Sequence, residues 1–77
     1  MSASPPPTEP VAVVTARGED RIRGGHPWVY RADVVKARAA GGDTVVVRSP
    51  RGRPLGRALY SDRSQIALRM LTAGEAP

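Results

Sequence analysis

Apolar residues in this chain come in short bursts divided by glycine, proline and charge, the rhythm of strands and turns rather than of long helices. The stretch "VAVVTA", residues 11–16, is rich in β-branched side chains and predicts a first strand. In "RGEDRIRGG", Arg17–Gly25, acids stand near the start, basic residues near the end and glycines last, which predicts a helix of one or two turns with a glycine stop. A helix this short is stable only against a partner. Pro27 holds the next segment extended, and Val34 with Val35 predict a short strand ahead of a flexible "KARAAGGD". The firmest pattern follows: "DTVVVRS" (43–49), "PRGR" (50–53) and "PLGRALYS" (54–61) read as strand, turn and strand, a hairpin with Arg51, Gly52 and Arg53 at its tip. Last, "QIALRML" alternates, with Ile66, Leu68 and Met70 on one side.

Short strands broken by turns, with one brief helix after the first strand, predict a mainly β fold: a small barrel or sandwich-like module. Its expected core is Val13, Ile22, Trp28, Val34, Val45, Val47, Ala58, Tyr60, Ile66, Leu68 and Met70. The proline-rich start, "MSASPPPTEP", has no large apolar side chain after the initiator and predicts a disordered tail over 1–10. The domain then spans 11–72, with 73–77 as a linker.

Composition narrows the chemistry. A chain of 77 residues makes one small domain, and such a domain buries only about 60% of the surface its unfolded chain exposes. Without cysteine there is no disulfide framework or thiolate site, and one histidine cannot supply the ligand set of a metal centre, so no metal is expected. Twelve basic residues, eleven of them arginine, against seven acids give a formal net charge of +5. Such a field attracts a polyanion, and the planar guanidinium matches phosphate oxygens in pairs. No stretch approaches the roughly 18 to 20 apolar residues of a membrane span, and no secretory leader pattern opens the chain, so the expectation is a cytoplasmic protein with no membrane partner.

Catalytic constellations are missing. There is no phosphate-binding loop, and "RGRPLG" lacks the spacing of a dinucleotide fingerprint. Ser61, Asp62 and Ser64 could be set beside His26 as a triad, but serine and aspartate on one loop are turn and capping residues. No catalytic residue and no cofactor site are therefore expected in this chain.

Two blocks, "HPWVY" and "RGRPLGRALYSDRSQIALRML", together resemble the N-terminal PUA domain of the bacterial SAM-dependent 23S ribosomal RNA 5-methylcytosine methyltransferases. The resemblance covers about Val11 to Leu71. It implies a PUA-like pseudobarrel that binds structured, ribosomal RNA and helps to place a catalytic domain on it. That catalytic domain, its S-adenosylmethionine site and its cysteine have no counterpart here, so the chain by itself is expected to be an accessory domain, either part of a longer enzyme or a natural fragment. In such domains RNA lies along the short helix and the glycine turn after it, which implies Arg21, Arg23, Gly24, Gly25 and His26, with Arg31 just beyond. The glycines would let backbone amides approach a phosphate. Arg51 and Arg53 at the hairpin tip and Arg63 in "SDRSQ" are further candidates for backbone contacts. Duplex RNA is read mainly by shape and phosphate, so an arginine-lined face without many exposed aromatics is adequate.

Each residue also has a plainer role. Trp28 is expected to fill core volume, Tyr30 and Tyr60 to sit in the core or at its rim, and Arg69 to be solvated. His26 either fixes its turn by a hydrogen bond or touches RNA. The competing function is a docking β-barrel that mediates interdomain or protein contacts without RNA; a homodimer is left open.

Overall fold

The computed structural model describes residues 9–73. Its elements are β1 (Val11–Val14), α1 (Ala16–Arg23), β2 (Trp28–Tyr30), a single 3-10 turn (Arg31–Asp33), β3 (Val34–Arg38), β4 (Thr44–Arg48), β5 (Pro54–Tyr60) and β6 (Ile66–Ala73). Of the expected tail over 1–10 and the expected linker over 73–77, residues 1–8 and 74–77 lie outside the described residues. Six strands form one sheet in the order β2-β6-β5-β4-β1-β3, curled into a half-barrel with the helix after its first strand, as the sequence pattern predicts. All pairings are antiparallel except β1 with β4, where Val11 lies opposite Val46.

Helix α1 starts where the chain offers a cap. Thr15 has an extended backbone, and its hydroxyl oxygen accepts the Gly18 amide at 3.0 Å. It ends in a Schellman turn: the Gly25 amide donates to Ile22 O at 3.0 Å and the His26 amide to Arg21 O at 3.0 Å. Gly25 sits at φ 92°, in the left-handed region that a β-carbon disfavours. In the hairpin, Val45 pairs with Ala58 and Val46 with Arg57, and the tip is the expected 50–53 turn.

The core is built from Ala12, Val14, Ile22, Val29, Val45, Val47, Leu55, Ala58, Ala67 and Leu68. Val34, Tyr60 and Met70 pack against it half-buried. Three expectations need correction: in β6 it is Ala67, not the half-buried Ile66, that joins Leu68 in the core, and the other two concern β1 and β2. In β1 the phase is the reverse of the one assigned: Ala12 and Val14 are fully buried and Val13 is not. Four apolar residues in a row carry no alternation, so only the neighbouring strands decide which side faces in. Trp28 is not a core residue but 47% exposed, because Val29 between the two aromatics points inward, opposite Leu68. A three-residue strand can present only its middle or its ends, and the narrow aliphatic core takes the valine.

Two elements also exceed the expectation. β2 owes its existence to β6, which supplies the partners for Trp28 and Val29. β3 continues through Lys36 to Arg38, positions expected to be flexible, because Val11, Ala12 and Val13 pair with them. Its exposed Lys36 and Arg38 suit an edge strand, where charge discourages further pairing.

Candidate nucleic-acid interface

The arginines of α1 separate into two environments. Arg21 and Arg23 are two positions apart, about 200° around a helix of 3.6 residues per turn, so they leave on opposite sides. Arg23 turns to Glu19, with its Nε 2.9 Å and one terminal nitrogen 2.8 Å from the carboxylate. Arg21 turns to the 3-10 turn and β2: its Nε lies 3.9 Å from Asp33 Oδ2 and its guanidinium 6.0 Å from the centre of the Tyr30 ring.

On the Arg23 side the helix faces the hairpin tip across a groove of about 610 Å³, lined by Ala16, Glu19, Arg23, Ser49, Pro50, Arg51 and Arg53. The tip is held stiffly. Buried Ser49 accepts the amides of Arg51 and Arg53 on its hydroxyl oxygen, at 3.2 and 3.1 Å. The Gly52 amide donates to Ser49 O at 2.9 Å, and Arg48 donates to Gly52 O at 2.7 Å. Arg51 and Arg53 are thus exposed on a fixed turn, and among the described residues neither forms an ion pair. The groove is lined by Arg23, paired with Glu19 on its own helix, and by Arg51 and Arg53 from the tip, and Ala16 places the positive end of the helix dipole at its edge.

The glycine turn contributes differently from what its sequence suggests. The amides of Gly24, Gly25 and His26 all donate to α1 carbonyls, of Asp20, Ile22 and Arg21. They close the helix and leave no donor for a phosphate, and this helix end carries the negative side of the dipole. The His26 side chain is exposed, and its backbone, not its imidazole, fixes the turn. With Gly25, Pro27, Ile22 and the end of β6 it lines a small pocket of about 160 Å³.

Arg31 is drawn away from any ligand. Its guanidinium donates to Ser64 O at 2.6 and 3.0 Å and to Ser61 O at 2.8 Å, clamping the loop between β5 and β6. Arg63 rides on that loop beside a shallow depression shared with Ala40–Gly42, at the opposite end of β5 from the hairpin tip. The structure therefore gathers Arg23, Arg51 and Arg53 around one groove, sets Gly24–His26 beside it in the chain, and places Arg21, Arg31 and Arg63 in surroundings of their own.

Three features escaped the sequence reading. Asp33, 4% exposed, accepts the Thr15 hydroxyl at 3.1 Å and Arg17 Nε at 3.2 Å on one oxygen. Trp28 and Tyr30 are both exposed on β2. Arg69 stands directly opposite Trp28 on β6. The alternation W-V-Y carried the signal for the aromatics, since a buried valine between them turns both rings outward.

Residues 5–73 match the family described as PUA-like domain. The chain belongs to that family. The PUA-like domain is 47% identical over 53 residues to a ribosomal RNA large subunit methyltransferase I of Alteromonas mediterranea, covering 66% of this chain and 13% of that protein. It is 40% identical over 63 residues to a ribosomal RNA large subunit methyltransferase of Deinococcus radiodurans, covering 79% of this chain and 15% of the relative. The chain thus spans about one seventh of the length of these relatives. Among solved structures, a conserved PUA domain protein from Thermoplasma acidophilum superposes with a TM-score of 0.76 at 16% identity, covering 92% of this chain and 53% of that one. NSun6 from Pyrococcus horikoshii superposes with a TM-score of 0.72 at 22% identity, covering 95% and 21% respectively. At these identities the superpositions speak for the fold.

Proposed function

We propose that this PUA-like domain binds structured RNA along the groove between α1 and the β4–β5 tip, as the accessory part of a large-subunit ribosomal RNA methyltransferase. The carrying observation is the convergence of Arg23, Arg51 and Arg53, from two distant stretches of sequence, on one groove with a single carboxylate. The stiff tip matters because cations that need not be ordered on binding lose less entropy. The names of the relatives, which match this chain over its PUA-like region, support a ribosomal target. S-adenosylmethionine as methyl donor, the C5 of cytosine as acceptor and a cytoplasmic setting are carried from the sequence resemblance. Arg21, His26 and Arg63 lie outside the groove and are proposed as further backbone contacts, Gly24 and Gly25 shape the turn after α1, and Arg31 keeps the Arg63 loop in place.

The test is fluorescence anisotropy of a labelled, base-paired ribosomal RNA fragment across a salt series. Each phosphate neutralised contributes about 0.9 to the negative log-log slope for a duplex of the B-DNA type. The triple substitution Arg23→Gln, Arg51→Gln and Arg53→Gln is expected to weaken binding and to flatten the slope by two to three such increments, with the far-ultraviolet dichroism unchanged. Equal affinity and equal slope for the triple variant would remove the groove from the RNA site.

A further inference from the structure

We infer that Trp28 and Arg69 form a second RNA site, one that stacks an unpaired nucleobase on the indole and pairs its phosphate with the guanidinium. This inference rests on the RNA-binding reading above but concerns a different face and a different RNA conformation.

The indole is the largest apolar side chain in the molecule, yet it is 47% exposed while alanines and valines fill the core. The backbone that carries it is nevertheless fixed. Val29, fully buried beside it, anchors β2 opposite Leu68. Pro27 O accepts the Met70 amide at 2.7 Å on one side of the strand, and the Arg31 amide donates to Gln65 O at 2.8 Å on the other. An exposed ring on a strand pinned at both ends is a preorganised stacking platform, since little motion is left to lose when a base settles on it.

The charge beside it selects the ligand. Register partners in an antiparallel pair project from the same face, so Arg69, opposite Trp28, emerges next to the indole. Arg69 is exposed and forms no ion pair among the described residues. A planar ring adjoining an unpaired guanidinium answers both halves of a single-stranded nucleotide, base and phosphate. The Tyr30 ring, by contrast, already has the Arg21 guanidinium over it. An apolar protein surface would draw on the part of this face where Leu59 lies opposite Arg69 and Leu71 follows on β6, but would have to desolvate the unpaired cation without a partner. Because β2 is the edge of the sheet, a strand of RNA can pass the platform without meeting another β-strand.

Trp28 is the chain's only tryptophan, so its own fluorescence reports on the site. The 77-residue chain is titrated with an unstructured oligoribonucleotide and, separately, with a duplex of matched charge. The single strand is expected to quench Trp28 and the duplex to bind without quenching. Trp28→Leu, which keeps an apolar side chain but no ring to stack on, is expected to lose about 5- to 150-fold in single-strand affinity, the equivalent of 1–3 kcal/mol per stacked base, and none for the duplex. Trp28→Phe retains most of the affinity, and Arg69→Gln reduces the single-strand salt slope by about 0.7. Quenching by both ligands alike, or single-strand binding indifferent to Trp28→Leu, overturns this site while leaving the groove standing. Duplex binding lost on the groove substitutions with single-strand quenching intact supports the site. Absence of binding to either RNA overturns both readings, and self-association of the wild type that Trp28→Leu abolishes overturns the site in favour of protein docking. If Trp28→Leu does not fold, the wild-type quenching contrast and the Arg69→Gln slope decide.

Discussion

Asp33 offers the sharpest test of how this small domain holds itself together. Its carboxylate, with a side chain 5% exposed, joins the cap of α1 to the turn before β3 through Thr15, and it faces Arg17 and Arg21 from the protein side. Asp33→Ala removes the part-buried hydrogen bond from the Thr15 hydroxyl to a charged acceptor, worth about 1.5–3 kcal/mol, together with the contacts to Arg17 and Arg21. The two ion pairs add little: Arg17 is 70% and Arg21 38% exposed, so water rehydrates them, and screened pairs of this kind contribute about 0–1 kcal/mol each. The expected loss is therefore about 2 kcal/mol, or roughly 8–16 °C in Tm at 4–8 °C per kcal/mol for a domain of this size. Urea unfolding followed by far-ultraviolet dichroism measures it. Asp33→Asn, which keeps an acceptor for Thr15 but no charge, should lose about half as much. Both variants release Arg17 and Arg21 from their shared carboxylate, so each should bind RNA more tightly at low salt despite being less stable. A loss below about 0.5 kcal/mol for Asp33→Ala, the range of an ordinary surface substitution, would refute the account of a buried acceptor tying helix to turn.

Gly25→Ala should cost about 1 kcal/mol in the same unfolding assay: an added β-carbon meets nothing within 4 Å, so the cost is the left-handed backbone alone, and D-alanine at position 25, introduced by synthesis, should reverse the sign. Arg31→Lys should destabilise by about 1 kcal/mol, because an ammonium cannot span the Ser61 and Ser64 carbonyls as the planar fork does. Amide exchange should then quicken over residues 61–65 and be unchanged at the hairpin tip. Unchanged protection of that loop would mean that the clamp carries no load.

What the sequence could disclose follows from where the deciding interactions lie. The hairpin and α1 were legible because their signals are local: proline and glycine at fixed offsets in 50–53, acids first and glycines last in 17–25. β2 was not, since three residues become a strand only when β6 arrives to pair with them. The phase of β1 failed for the same reason, with its inward side set by β3 and β4. Among the site residues, nothing in the order of residues brings Arg23 to the Arg51 and Arg53 tip, and nothing tells the guanidinium of Arg31 from that of Arg53. One arginine is spent on carbonyls and the other is left to solvent. Trp28 was misplaced by an argument from volume, and the alternation around Val29 was the better guide.

The parallel pairing of β1 with β4 also bears on time. β1 is the first strand of the chain, yet it lies between β4 and β3 in the sheet and needs Val46 and Val47 beside it. During synthesis it has no partner strand until β3 emerges, and its parallel side stays uncovered until β4 follows. Pairings this distant in sequence slow folding, because a long loop closes before any contact rewards it. The β4–β5 hairpin, whose strands are neighbours, is the natural first structure, and β1 docks onto it afterwards. The same hairpin that presents Arg51 and Arg53 would then be the seed on which the rest of the domain assembles.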